Sequence, residues 1–290
     1  MRDSLVRSVT SDGELSVRCL VATSLVQEAA QRHSPRPTAS AALGRTLMGA
    51  LLLAASAKDD ETLQIQLRGD GEMGQVTAIA DGEARVRGYV HNPDAHPPPR
   101  NGKLDVGTAV GKGLLAVVRY RPSWREPYSG LVPLVSGEIA EDLAAYLADS
   151  EQTPSVVALG VFVGATGEIE AAGGYLVQAL PLASDEVMAR LDETIQALPS
   201  PTSLLRSGIG AGGLLDLLVG DLGHRAVLEV EPRFHCGCNR DRIDRAVTLI
   251  GRDEAREIAL QGEPLEVRCE FCATVYRLPA DEVGALFPDA

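Results

Sequence analysis

Two cysteine motifs near the end of this 290-residue chain, "FHCGC" at 234–238 and "CEFC" at 269–272, constrain its folding more than any other feature. The stretch from about residue 232 onward has few large apolar side chains, and so small a unit barely holds together without a cross-link or a metal. A C-x-C pair and a C-x-x-C pair bring four thiolates to one tetrahedral ion at about 2.3 Å per Zn–S bond. Cys236, Cys238, Cys269 and Cys272 are therefore the expected metal ligands, and zinc is the expected ion. His224 and His235 are left as spectators, because four thiolates already complete the shell. Around a tetrahedral zinc the sulfurs stand about 3.8 Å apart, against about 2.05 Å in a disulfide, so the metal-bound and oxidised states exclude each other. Bound thiolates are also the form that reacts with peroxide or hypochlorous acid, and a module that loses its metal is expected to unfold.

The rest of the composition sets the context for these thiols. A content of 45 % hydrophobic and 23 % charged residues belongs to soluble globular proteins, and the length allows two folded units. The first residues mix charges and show no apolar leader, and the apolar run from Leu47 to Ala57 is too short to cross a bilayer. The expected location is cytoplasmic, with no membrane partner. In that reducing compartment, paired cysteines hold metals or do redox work more often than they form permanent staples. A net charge of −13 repels phosphate backbones, and the 233–277 stretch is neutral, so no nucleic-acid partner is expected.

Along the chain, "ELSVRCLVA" alternates Leu15, Val17, Cys19 and Val21 onto one face of a strand, making Cys19 a buried core thiol. "TASAALGRTLMGALLLAASAK" reads as a buried helix. Gly69, Gly71 and Gly74 spell G-x-G-x-x-G but sit between extended stretches, which fits a turn between antiparallel strands better than a dinucleotide loop. "GTAVGKG" at 107–113 is one residue short of a phosphate-binding P-loop and has Gly113 where a hydroxyl is needed, so no nucleotide site is expected. Ser136 is the expected cap of a helix with an acidic first turn and Ile139, Leu143 and Leu147 on one face. From Ser184 a striped helix carries Val187, Leu191, Ile195 and Leu198. "PSPTSLLRSGIGAGG" breaks the chain and "LLDLLVGDL" resumes as a short helix. Between the cysteine pairs, "DRIDRAVTLIG" and "RDEAREIALQG" predict two short helices, and "LEVRCEFCATVYRL" predicts a hairpin with the C-x-x-C at its turn. The expected class is α+β: a mixed sheet-and-helix N-terminal domain (1–180), a helical linker (181–231) and a small C-terminal zinc-binding redox-switch domain (232–290).

The chain resembles the redox-regulated heat-shock holdases, the 33 kDa chaperonin family. The resemblance rests on "ALGRTLMGALLLAASAK", "GDGEMG", "VRGYV", "PYSGLVPL", "SGEIAEDLAAYLADSEQTPSVVALGVFV", "AAGGYLVQALP" and the terminal C-x-C and C-x-x-C, in that order along nearly the whole chain. It implies an ATP-independent chaperone rather than an enzyme, silent when reduced and zinc-bound. Oxidation would then form a disulfide within each cysteine pair, release zinc and unfold the linker, after which the protein, a homodimer when oxidised, holds unfolding client proteins. The client surface is expected on the linker and adjoining apolar faces, with Leu191, Ile195, Leu214 and Leu218 as candidates. Two departures stand out: Asn239 follows the C-x-C where serine is common, and "GIGAGG" makes the linker looser than the family pattern. The rival from the enzyme class is a thiol–disulfide oxidoreductase using Cys269 and Cys272. Such motifs usually open a helix, whereas this one is predicted in a hairpin.

Overall fold

The apolar segment noted above folds as helix α2 (Pro37–Ala54), which follows α1 (Thr23–His33). Pro37 sits in the first turn, where its missing N–H removes no intrahelical bond. From Thr38 to Ala54 all but Arg45 is buried, and a helix apolar on every side has to be covered on every side. In the computed structural model, which describes every residue except 59, 250, 252, 255, 256, 258, 259, 261 and 288–290, two sheets supply that cover.

The first sheet contains β1 (Ser4–Val9), β2 (Leu15–Val21), β8 (Ser155–Val163), β9 (Ile169–Ala179) and β10 (Leu228–Val230), in the order β10-β1-β2-β9-β8. The second contains β3 (Thr62–Gly69), β4 (Gln75–Asp81), β5 (Arg85–Val90), β6 (Gly113–Tyr120), β7 (Tyr128–Pro133) and β11 (Arg233–Phe234), in the order β11-β5-β4-β3-β6-β7. Helix α2 packs against β8 and β9 of the first and against β3, β4 and β5 of the second. Every described strand pair is antiparallel except β11 with β5, so the architecture is α+β.

The glycines that imitate nucleotide motifs meet in one place. Gly69 ends β3 and pairs with Gly113 at the start of β6, while the short helix α3 (Val106–Val110) runs beside them. A Cβ on Gly69 would lie 1.8 Å from the Val110 carbonyl oxygen, and one on Gly113 would lie 1.9 Å from that of Arg68. Glycine is needed here because backbone lies against backbone.

Helix α4 (Ala140–Asp149) corrects one expectation: Ser136 does not cap it. The N-cap is Ile139, at φ +74°, a conformation costly for a β-branched residue. The fully buried Asp142 carboxylate holds it there, accepting the N–H groups of Val135 (2.7 Å), Ser136 (3.0 Å), Gly137 (3.3 Å) and Ile139 (2.8 Å). A carboxylate three residues inside the helix thus replaces a hydroxyl before it.

The 181–231 segment packs on the first sheet. Its helices are α5 (Asp185–Ala197), α6 (Pro201–Arg206) and α7 (Ala211–Val219), so the stretch expected to be a plain break contains a helix of its own. Ser184 caps α5, and its N–H and hydroxyl both donate to the Glu14 carboxylate, at 2.6 and 2.7 Å. The apolar residues of these helices bury the sheet face turned away from α2, covering Val6, Val17, Cys19, Val21, Tyr175 and Val177. Cys19 lies there fully buried, and burial pushes its thiol pKa well up.

The chain divides into two compact units, Met1–His235 and Cys236–Ala290. In the second, Asn239 caps α8 (Arg240–Thr248), its side chain accepting the Arg242 N–H at 3.0 Å. Asparagine and serine cap helices equally well, which gives the departure at this position a physical reason. The other helix expected between the cysteine pairs, at 252–262, falls largely outside the described residues. Strands β12 (Leu265–Arg268) and β13 (Val275–Leu278) form the expected antiparallel hairpin, followed by a short helix, Ala280–Ala285.

Replacing Asp142 with Ala strands the buried N–H groups of Gly137 and Ile139, at about 1–3 kcal/mol each, and frees the half-buried ones of Val135 and Ser136. The variant is expected to lose at least about 3 kcal/mol of stability in denaturant titration, with Asp142→Asn intermediate because its amide still accepts two of the bonds.

Candidate metal centre

The turn between β12 and β13 brings Cys269 and Cys272 to one end of the hairpin. The Cys269 N–H donates to the Thr274 carbonyl at 2.9 Å, the Ala273 N–H donates to the Cys269 carbonyl at 2.8 Å, and Ala273 takes φ +58° to close the loop. Cys236 and Cys238 immediately precede Asn239, the cap of α8, which fixes where the C-x-C segment ends. Beneath both motifs lies a small core of Ile243, Val247, Leu278 and Val283, with Leu265, Val267 and Tyr276 at its margin.

The four sulfurs lie within 4.8 Å of one another. The nearest approaches run between the motifs: Cys236 Sγ is 3.9 Å from Cys269 Sγ, and Cys238 Sγ is 3.3 Å from Cys272 Sγ. These separations bracket the roughly 3.8 Å expected around a tetrahedral thiolate-bound ion, and all four residues are free thiols. The donor set is soft and all-sulfur, which suits zinc or an iron–sulfur centre over hard cations such as magnesium or calcium.

The cluster is electrostatically uneven. Burial pushes Cys236 up to about 12, and burial also raises Cys269. Burial acts upward on Cys272 too, but hydrogen bonds from the Thr274 hydroxyl and backbone and from the neighbouring thiols outweigh it, bringing Cys272 down to about 7. The Thr274 hydroxyl is 3.3 Å from Cys272 Sγ, and the Tyr276 hydroxyl donates to Cys238 Sγ at 3.2 Å. That bond raises the Tyr276 pKa to about 12. The sequence singles out neither residue, because the left-handed turn at Ala273 (φ +58°) lies between Cys272 and Thr274 and strand alternation does not connect them.

The residues expected to meet clients lie elsewhere. Leu191, Leu214 and Leu218 are buried against the first sheet, and Ile195 is half-buried at the edge of the same cluster. His224 bonds to Asp216 at 3.1 Å and to the Arg225 carbonyl at 3.3 Å. Among the described residues, no helix is long and apolar enough to cross a membrane.

The chain is similar to known proteins along nearly its whole length. The profile of the family described as Hsp33 protein matches residues 3–279. The 33 kDa chaperonin of Nostoc punctiforme is 42 % identical over all of this chain and 97 % of its own length. That of Thermus thermophilus is 44 % identical over 97 % of this chain and 86 % of its own. The crystal structure of the 33 kDa chaperonin (Hsp33) from Thermotoga maritima superposes with a TM-score of 0.92 at 33 % identity, covering 99 % of this chain and 98 % of that one.

A metal bound here must displace protons from the thiols. Affinity for zinc(II), measured by competition with a chromophoric chelator, is expected to rise with pH throughout, following the raised thiols of Cys236 and Cys269, and to fall more steeply below neutrality, where Cys272 at about 7 takes up its proton as well. Cys269→Ser is expected to lower it by at least tenfold.

Proposed function

The chain belongs to the Hsp33 family, and we propose that it is an ATP-independent holdase, switched on by oxidation, that binds unfolding client proteins in the cytoplasm. In this reading the chain works in three parts: a core domain (1–180), a linker (181–231) and a zinc-binding switch (232–290). Neither nucleic acid nor membrane is a partner, the oxidised protein is a homodimer, and its task is to hold clients rather than to turn over a substrate.

One observation carries the reading: Leu191, Leu214 and Leu218 are buried with Val17, Val21 and Val177 in an apolar interface formed by the linker. A holdase needs an apolar surface, and it needs that surface hidden while idle, or it aggregates with itself. Lifting the linker helices would expose both sides of the interface.

Cys236, Cys238, Cys269 and Cys272 would hold the zinc. When bound, zinc keeps the sulfurs as thiolates and contributes on the order of 10–16 kcal/mol of apparent folding free energy to a small module. The core of Ile243, Val247, Leu278 and Val283 is a weak substitute for it. Oxidation converts two thiolates of a pair to one disulfide, and the two electrons pass to hydrogen peroxide, which takes up two protons and leaves as two waters. Two such events, Cys236 with Cys238 and Cys269 with Cys272, consume all four ligands. The 223–235 segment, continuous with Cys236, then loses its anchor on one side.

The oxidoreductase reading lacks its usual activating feature. Cys269 and Cys272 lie between two strands rather than in the first turn of a helix.

Peroxide- or bleach-treated protein is expected to suppress aggregation of a heat-unfolded client at near-stoichiometric ratio without ATP, while the reduced, zinc-loaded protein does not. Equal activity in the two forms would overturn the switch, and no activity in either would overturn the holdase.

A further inference from the structure

The segment joining α7 to Cys236 lies along the open edge of β1. The Ser11 N–H donates to the Gly223 carbonyl at 3.1 Å, the Arg225 N–H to the Val9 carbonyl at 2.9 Å, and the Ser8 hydroxyl to the Arg225 carbonyl at 3.1 Å. Strand β10 then pairs antiparallel with β1 through Leu5 and Val230, Val6 and Glu229, and Arg7 and Leu228. All three side chains of β10 are exposed, Leu228 at 55 % and Val230 at 42 %. The β1 edge therefore grips this peptide by its backbone, with almost no selection on sequence. At β11 the grip is different, because Phe234 packs on the core and lies 5.0 Å beneath the Arg32 guanidinium.

We propose that the β1 edge, once β10 has left it, binds extended segments of unfolded clients by antiparallel strand addition. The inference rests on the holdase reading above and specifies how the client is recognised. Unfolded chains of any sequence share one chemistry, the unpaired backbone amide, and an unpaired sheet edge is its complement. Alternation along β1 shows which groups would be offered. The Thr10 N–H donates to Leu15 on β2, while the Val9 carbonyl accepts from Arg225, so Leu5, Arg7 and Val9 direct their backbone groups outward.

The same register gives a preference. Val6 belongs to the apolar face that α5 to α7 cover, and α7 packs on β1, so releasing that helix uncovers edge and face side by side. The residue opposite Val6 lies at the margin of that face. In β10 it is Glu229, a poor partner for an apolar surface. A client segment with an apolar residue there, and at alternate positions on either side, would bind better than β10 itself.

The probe is a synthetic peptide of residues 224–231, tested on the full chain. It is expected to bind the oxidised, zinc-free protein and not the reduced, zinc-loaded one, and Glu229→Val in the peptide should tighten binding at least threefold. Leu228 and Val230 pair with outward-directed residues, so N-methylation at those two amides should cost at least tenfold, while N-methylation at Glu229 should cost little. In hydrogen exchange on the oxidised chain, the amides of Leu5 and Arg7 should exchange freely alone and at least tenfold more slowly with a thermally unfolded client. If clients are protected from aggregation but methylation at 228 and 230 is no worse than at 229, or the Leu5 and Arg7 amides stay unprotected with client bound, the edge proposal is wrong and the holdase reading stands. If no aggregation is suppressed at all, both fall.

Discussion

A sheet that is apolar on both faces needs two covers, and most of this architecture follows from that requirement. In β2, Leu20 points to the side packed by α1 and α2, while Val17, Cys19 and Val21 point to the other side, and β9 divides its residues in the same way. The first cover is permanent, because α2 is itself locked between two sheets. The second consists of α5, α6 and α7, short helices joined through a glycine-rich elbow in which Gly208 takes φ +95°. Each fully buried leucine contributes about 1.5–3 kcal/mol, enough to hold these helices down and little enough that local opening is accessible.

The second unit is built on a different balance. Its apolar core is small, and its fixed points are polar: the Asn239 cap, the Arg277–Glu266 pair across the hairpin at 2.6 Å, and Arg240 bonded to both Asp244 and Glu282. Exposed pairs of this kind contribute at most about 1 kcal/mol. The convergence of four thiols is the strongest remaining candidate for a cross-link in so small a unit. Thr274 and Tyr276, which touch Cys272 and Cys238, make the four sulfurs chemically unequal.

Much of this was legible beforehand, for identifiable reasons. Strand alternation at Leu15 to Val21, the apolar bias of α2 and the spacing of the cysteine motifs are local signals, and local signals survive folding. Ser136 misled because a hydroxyl before an acidic turn is an ordinary cap, whereas the group that serves, Asp142, reaches backward from inside the helix and forces Ile139 to positive φ. The pairing of Leu228–Val230 with β1 could not be read at all. Those residues carry no alternation of burial, and their partner lies more than two hundred positions away along the chain. That the glycines at 69 and 113 face each other was equally hidden, since neither motif names its neighbour.

The shortness of β10 has a consequence for how such a molecule would let go. A three-residue strand leaves its groove easily, but it remains attached to the same polypeptide a few residues from where it belongs. While the linker helices stay folded on the sheet the tether is short, and a competitor of this sort acts at an effective concentration of roughly millimolar, an advantage that falls once those helices are released. Refolding of the linker helices would bring back with it a competitor for the β1 edge that belongs to the same polypeptide, supplied by covalent continuity alone.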